Sequence, residues 1–246
     1  MFWRRHLPPL LLAVLAVFSR APSTASAAEV QHHGVVFEQW IRDTFFDGYQ
    51  PPGYTQKWDI PAEANREHGG LPVNPKAIKY GTPIGLGDAL RQYDIDEPFI
   101  LLLGYWQQEG PAKRFVKIVA ARVEPAQWRA LWGNVDRGDL ERLDQVIKNR
   151  DADYRDVRRA AQAMKQRPPY DSSIIVLNPK IDSKGQRRLQ CSLRFADFFA
   201  HLAPGLDPAP EATPALWGVP FPGLIESGAR EFDRSEAGGD GEAEEP

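Results

Sequence analysis

The stretch from Lys57 to Arg91, KWDIPAEANREHGGLPVNPKAIKYGTPIGLGDALR, places one aspartate, Asp59, ahead of a lysine, Lys76, with Asn74 two residues before that lysine. A further carboxylate, Glu38, precedes them in GVVFEQWIRDTFF. These residue types in this order suit phosphodiester cleavage, which needs a metal held by carboxylates, a cation on the transition-state charge and an oriented water. Oxygen ligands suit Mg2+, which keeps several waters and usually takes one or two carboxylates from a protein. Asp59 would supply a ligand, Lys76 the cation and Glu38 the second carboxylate. Asn74 offers a carbonyl oxygen without charge. An aspartate followed by polar-x-lysine recurs by chance, so the elements that carry these residues decide its weight.

Val36, Trp40, Ile41 and Phe45 fall on one stripe at helical spacing, which predicts an amphipathic helix over 34–46 with Glu38 near its middle. YTQKWDIP reads as a short strand stopped by Pro61, with Asp59 at its end. LPVNPKAIKYG reads as a second strand, in which Pro75 implies an edge or a bulge. GDALRQY is a short helix entered at Asp88, whose bland role is that of N-cap. PFILLLGYW has the length and apolarity of a buried strand, and RFVKIVAARV is its hairpin partner. Pro125 opens a short helix through Trp132. Leu140, Leu143, Ile147, Tyr154, Val157, Ala161 and Met164 then share one face, predicting a single longer helix over 138–166. DSSIIVLNPK and RRLQCSLRF are two more strands around the turn IDSKGQ. The expected fold is mixed α/β, one central β-sheet flanked by helices.

With the helix HGVVFEQWI, the strand KWDIP, the strand PVNPKAIK, GLGDALRQY and the late NPKIDSKGQRRLQCSLRF in this order, the chain resembles the PD-(D/E)xK restriction-endonuclease-like nucleases. The resemblance spans about residues 33–200. It implies a restriction-endonuclease-like core and a metal-dependent DNA endonuclease with Mg2+ as cofactor and DNA as partner. It also implies a metal-binding role for Asp59, the lysine role for Lys76 and the helical-glutamate role for Glu38. The departure is at the second acid: Asn74 stands where that family has Asp or Glu, so the motif is NxK. Either Glu38 replaces the missing carboxylate or the site has lost its metal. The alternative function is a non-catalytic exported binding or structural protein on a nuclease-derived scaffold. Neither an oligomeric state nor a DNA sequence preference follows from the pattern.

The ends of the chain differ from this body. Residues 1–27 carry Arg4 and Arg5, an apolar run from Leu10 to Phe18, and small residues at Ala25 and Ala27, the order of a cleavable secretory signal with a mature start at Ala28. A secreted or periplasmic protein is expected, or a cytoplasmic one if translation starts further in. The apolar run is shorter than the roughly 20 residues of a membrane span, and no stable insertion of the mature chain is expected. Residues 28–203 are read as the nuclease-like domain and 204–223 as a Pro-rich arm, with Trp217 and Phe221 docking back on the body. Residues 224–246 are read as a disordered acidic tail. The net charge of −3 divides into a basic leader, an acidic tail and a neutral body; within that body residues 137–188 hold 13 Lys/Arg against 8 Asp/Glu, most simply a solvated helix face. His32 and His33 are expected at a frayed mature start. With no H-x3-H pair and Cys191 as the single cysteine, a zinc site is disfavoured and Cys191 is read as a small core residue.

Overall fold

The computed structural model describes residues 25–52 and 57–226, with side chains from His32 onward. Most of the predicted leader and most of the acidic tail lie outside the described residues. Helix α1 (Ala25–Phe45) is followed by β1 (Val73–Lys79), β2 (Ile84–Asp88), α2 (Ala89–Tyr93) and the long hairpin β3 (Phe99–Glu109) and β4 (Ala112–Val123). Then come α3 (Pro125–Ala130), α4 (Arg137–Lys148), α5 (Tyr154–Lys165), the hairpin β5 (Val176–Ile181) and β6 (Arg187–Leu193), and α6 (Phe195–His201). Three short strands, β7 (Ala215–Leu216), β8 (Val219–Pro220) and β9 (Leu224–Glu226), belong to the C-terminal arm. The fold is mixed α/β, with helices flanking a mixed sheet.

The run Phe99–Tyr105 is apolar on both sides because β3 is covered on both faces. Phe99, Leu101, Leu103 and Tyr105 join the larger core with β6, α3, α4, α5 and α6, while Ile100 and Leu102 join a second core with Phe37 and Ile41 of α1. Strand β1 lies parallel to β3 and β4 lies antiparallel to it, in the order β1-β3-β4-β9. Among the described residues β1 is an edge strand, apart from the single bridge of Val73 to Ile60. Pro75 is tolerated there because an edge leaves one row of amides unneeded.

The expected single sheet is divided into two main sheets and a two-stranded ribbon of β7 and β8. β2, β6 and β5 form a separate antiparallel sheet, which β2 enters from β1 through the turn at residues 80–83 and which shares the larger core with β3 and β4. β2 was not foreseen, since IGLGD holds only two apolar side chains and two glycines. The helix predicted over 138–166 is also two: Asn149 is extended, and Asp153 caps α5 by accepting from the Arg155 amide at 2.8 Å. Both halves keep one apolar face inward, so the periodicity survived a break made by capping residues. α1 begins before Gly34, and His32 and His33 lie within it rather than at a frayed start. His33 sits edge-on to Trp106 at 4.9 Å, and burial, with the charges of Lys113 and His32, lowers its pKa to about 4.

The arm docks as expected. Phe221 is buried against Phe37, Trp40 and Phe115, and Trp217 stacks on His68 at 3.9 Å with the rings 3° from parallel. Leu224–Glu226 pair with β4, so order extends past the position where composition placed the start of a tail. Trp128 and Trp132 are fully buried core residues, and Cys191 is buried as predicted.

Candidate functional site

Asp59 does not lie on a strand. It sits in a bend beside Ile60, whose amide and carbonyl exchange hydrogen bonds with Val73 at 3.1 and 2.8 Å, a single bridge against the start of β1. Pro61 ends the pairing by lacking an amide proton. The bend is held on its other side by Glu97, which accepts from Trp58 Nε1 at 2.9 Å and from Lys57 Nζ at 2.7 Å. These two hydrogen bonds keep the Glu97 carboxyl below its ordinary range. Trp58 is buried in the larger core, so Asp59 projects from a short segment pinned at both flanks.

Alternation along β1 does the rest. Val73 and Ala77 pack toward α1, whereas Asn74, Lys76 and Ile78 are in register with Leu101, Leu103 and Tyr105, on the face toward the second sheet. Lys76 Nζ donates to Asp59 Oδ2 at 3.2 Å. Both side chains are partly exposed, so this pair stabilises the fold by no more than about 1 kcal/mol. Asn74 is 8% exposed, and its buried Oδ1 accepts no hydrogen bond among the described residues.

Glu38, from the helix over β1, completes the set electrostatically. Burial raises its pKa, the Asp59 carboxylate raises it further, and Lys76 and Arg42 act in the opposite sense. Its ion pair with Arg42 is long, at 3.8 Å. Of the four sequence-predicted residues, Asp59 and Lys76 meet by contact and Asn74 shares their strand face, whereas Glu38 lies on the helix over the other face of β1, does not line the cleft, and is linked to Asp59 and Lys76 through its charge.

Asp59, Asn74 and Lys76 open onto a cleft of about 190 Å³ whose opposite wall is Gly87, Asp88 and Arg91. The cleft lies where the two sheets part. The sequence reading left this wall out, because capping was preferred for Asp88 over a place in the site. It does cap α2, accepting from the Arg91 amide at 2.9 Å, and it also lines the cleft. The glycines of IGLGD were the available signal, since glycine within a strand marks a bulge or a close approach. The register slips between Gly85 and Gly87, and Gly87 has φ +91°.

Two carboxylates and an amide oxygen are hard donors of the kind Mg2+ accepts. Among the described residues there is no group of three or more His, Cys, Asp or Glu side chains placed to hold a metal. The donor set is therefore sparse, with the buried Asn74 Oδ1 a neutral oxygen that would fit a hard cation. No helix among the described residues is long and apolar enough to cross a membrane. No family model, curated protein or solved structure matches the chain.

Proposed function

We propose that the chain is a metal-dependent endonuclease that hydrolyses phosphodiester bonds in DNA, built on a restriction-endonuclease-like core and exported from the cytoplasm. The observation that carries this reading is the 3.2 Å pairing of Asp59 with Lys76, within the field of Glu38 and on the same strand face as the Asn74 Oδ1, which accepts no hydrogen bond among the described residues. Asp59 and Glu38 would hold Mg2+, with Asn74 offering a neutral oxygen. A bound Mg2+ supplies charge stabilisation at the phosphate oxygens and lowers the pKa of its water. With Asp59 serving as a ligand, Lys76 Nζ would donate to a phosphate oxygen. Glu38, whose proton affinity is raised by burial and by Asp59, would take the proton that the attacking water loses as the P–O bond to the leaving oxygen breaks, and that oxygen would take its proton from solvent.

A plasmid-nicking assay in Mg2+ and in chelator tests this, run with a thermal-unfolding titration of Mg2+. Wild type is expected to nick only with Mg2+ and to gain stability from it. D59A is expected to fold, to lose that gain and to lose activity by about three orders of magnitude, the worth of several kcal/mol at the transition state. N74D is expected to cut at least as fast and at lower Mg2+, through its added charge. A folded D59A that nicks as fast as wild type refutes the metal site.

The second reading is a non-catalytic binding protein on the same scaffold. Its support is Asn74 in the acid position and an Asp59 charge already met by Lys76. Wild type that neither nicks nor gains stability from Mg2+ would favour it.

A further inference from the structure

Resting on the nuclease reading, we infer that Asp88, across the cleft from Asp59, is a ligand of the bound divalent cation and supplies the carboxylate that position 74 lacks. β1 and β2 are consecutive, yet they belong to different sheets, and the cleft opens where they part after the turn at residues 80–83. Asp59, Asn74 and Lys76 form one wall and Gly87, Asp88 and Arg91 the other. The space between them, about 190 Å³, has room for a cation with several waters at about 30 Å³ each. Asn74, more than nine-tenths buried, lines this cleft, and its Oδ1 accepts no hydrogen bond among the described residues. A buried amide oxygen without a donor is costly, and a hard cation satisfies it. On the far wall no atom lies within 4 Å of where a Cβ on Gly87 would stand, so the backbone ahead of Asp88 leaves the cleft open.

The charges favour a cation as the occupant. Lys76 is paired with Asp59, and Lys57 is paired with Glu97 and Asp96 at 2.7 and 3.3 Å. Arg137, on which Asp88 acts through its charge, is held by Asp94 and Glu141 at 2.8 Å each. Asp88 itself enters no ion pair among the described residues; its Oδ1 accepts from the Arg91 amide to cap α2, which leaves Oδ2 for a ligand. Lys57, Lys76 and Arg91 stand against Asp59, Asp88, Asp96 and Glu97, so negative charge prevails in and beside the cleft. Asp59 and Asp88 are the two carboxylates that line it, and one or two carboxylates are what Mg2+ usually takes from a protein. Glu38 lines no part of it and reaches Asp59 and Lys76 through its charge. Asparagine caps a helix as well as aspartate does, so D88N removes the charge while keeping α2 capped.

The experiment is calorimetric titration of the full chain with Mg2+ alone, beside thermal unfolding with and without Mg2+ and plasmid nicking. D88N is expected to unfold at the wild-type temperature without Mg2+ and to bind Mg2+ about tenfold or more weakly, since even the outer partners of metal ligands are worth about 10–100-fold in affinity. D88S, which also caps, is expected to show the same loss. E38Q is expected to lose less than D88N. D171N, at an exposed acid that does not line the cleft, is expected to bind within about twofold of wild type. D88N and D88S that bind Mg2+ as tightly as wild type, while D59A does not, overturn the assignment of Asp88 and leave the metal site and the nuclease standing. A loss in E38Q with none in D88N gives the second carboxylate to Glu38 and also overturns it, as does an equal loss in D171N, which would report general charge. Mg2+ binding that depends on Asp88 without nicking keeps the cation site and removes the nuclease. Wild type that neither binds Mg2+ nor nicks removes both.

Discussion

Glu38 is the residue at which the site and the fold interact most directly. Its carboxyl is half-buried on α1, with Asp59 close enough to raise its proton affinity above the ordinary value of 4.5. Between the unfolded and folded pKa the native state binds more protons than the unfolded chain. Stability contributed by this group is therefore full below about pH 4 and falls as pH rises through the folded value. E38Q removes the ionisation, so in urea denaturation without Mg2+ it is expected to match wild type near pH 4 and to exceed it at pH 7. A difference that does not grow with pH would mean that Asp59 and burial do not act on Glu38 as described. Asn74 was legible in the sequence only as a departure from a motif. That its Oδ1 is buried and unsatisfied depends on β1 turning that face toward the second sheet, a matter of register across strands.

At the scale of elements, what places Glu38 is the seat of α1 on β3. Gly104 provides it: a Cβ there would stand 2.4 Å from Phe37 and 2.6 Å from Phe115, whose rings stack over the bare backbone at 4.8 Å. Phe37 is the neighbour of Glu38, so lifting the helix moves the carboxyl away from Asp59. G104A is expected to destabilise the protein by about 3 kcal/mol, at the upper end for overpacking, measured by urea denaturation. It should also reduce any Mg2+-dependent stabilisation through the displaced Glu38. The hydrophobic runs gave α1, β1, β3, β4, β5 and β6 because burial on one or both faces repeats in sequence. The break between α4 and α5 was hidden because the inward face resumes in phase after it, and only the cap at Asp153 interrupts the backbone. The short α6, carrying Phe198 and Phe199 into the core, was not foreseen: the strand read in RRLQCSLRF ends at its first residue, and seven residues are too few for a helical period to stand out.

At the scale of the whole molecule, the C-terminal arm closes the second core. It runs along β4, where the Glu211 amide donates to the Val116 carbonyl at 2.6 Å and Glu211 pairs with the buried Lys117 at 2.5 Å. β9 then covers the edge that β4 would otherwise expose. Its turn holds Trp217 at φ +47°, a left-handed position unusual for a bulky residue, offset by the stack on His68. F221A is expected to cost about 3 kcal/mol, as for a large side chain deleted from a packed core. W217A, removing a ring that is 38% exposed, is expected to cost about 1 kcal/mol, and unfolding in denaturant separates the two. Equal losses would place the anchor of the arm at Trp217 instead. Local chemistry determined much of this protein from sequence alone: the apolar periodicity of the main strands and helices, the cap at Asp88, the edge or bulge implied by Pro75, and an Asp, Asn and Lys of the right types. Each of these is set by a residue's own conformational limits or by the apolar pattern of near neighbours. Tertiary structure alone decided that the strands part into two main sheets and that the gap between them carries Arg91 opposite Lys76. Those depend on which distant segments share an edge, and pairing partners leave no trace in the spacing of a single chain.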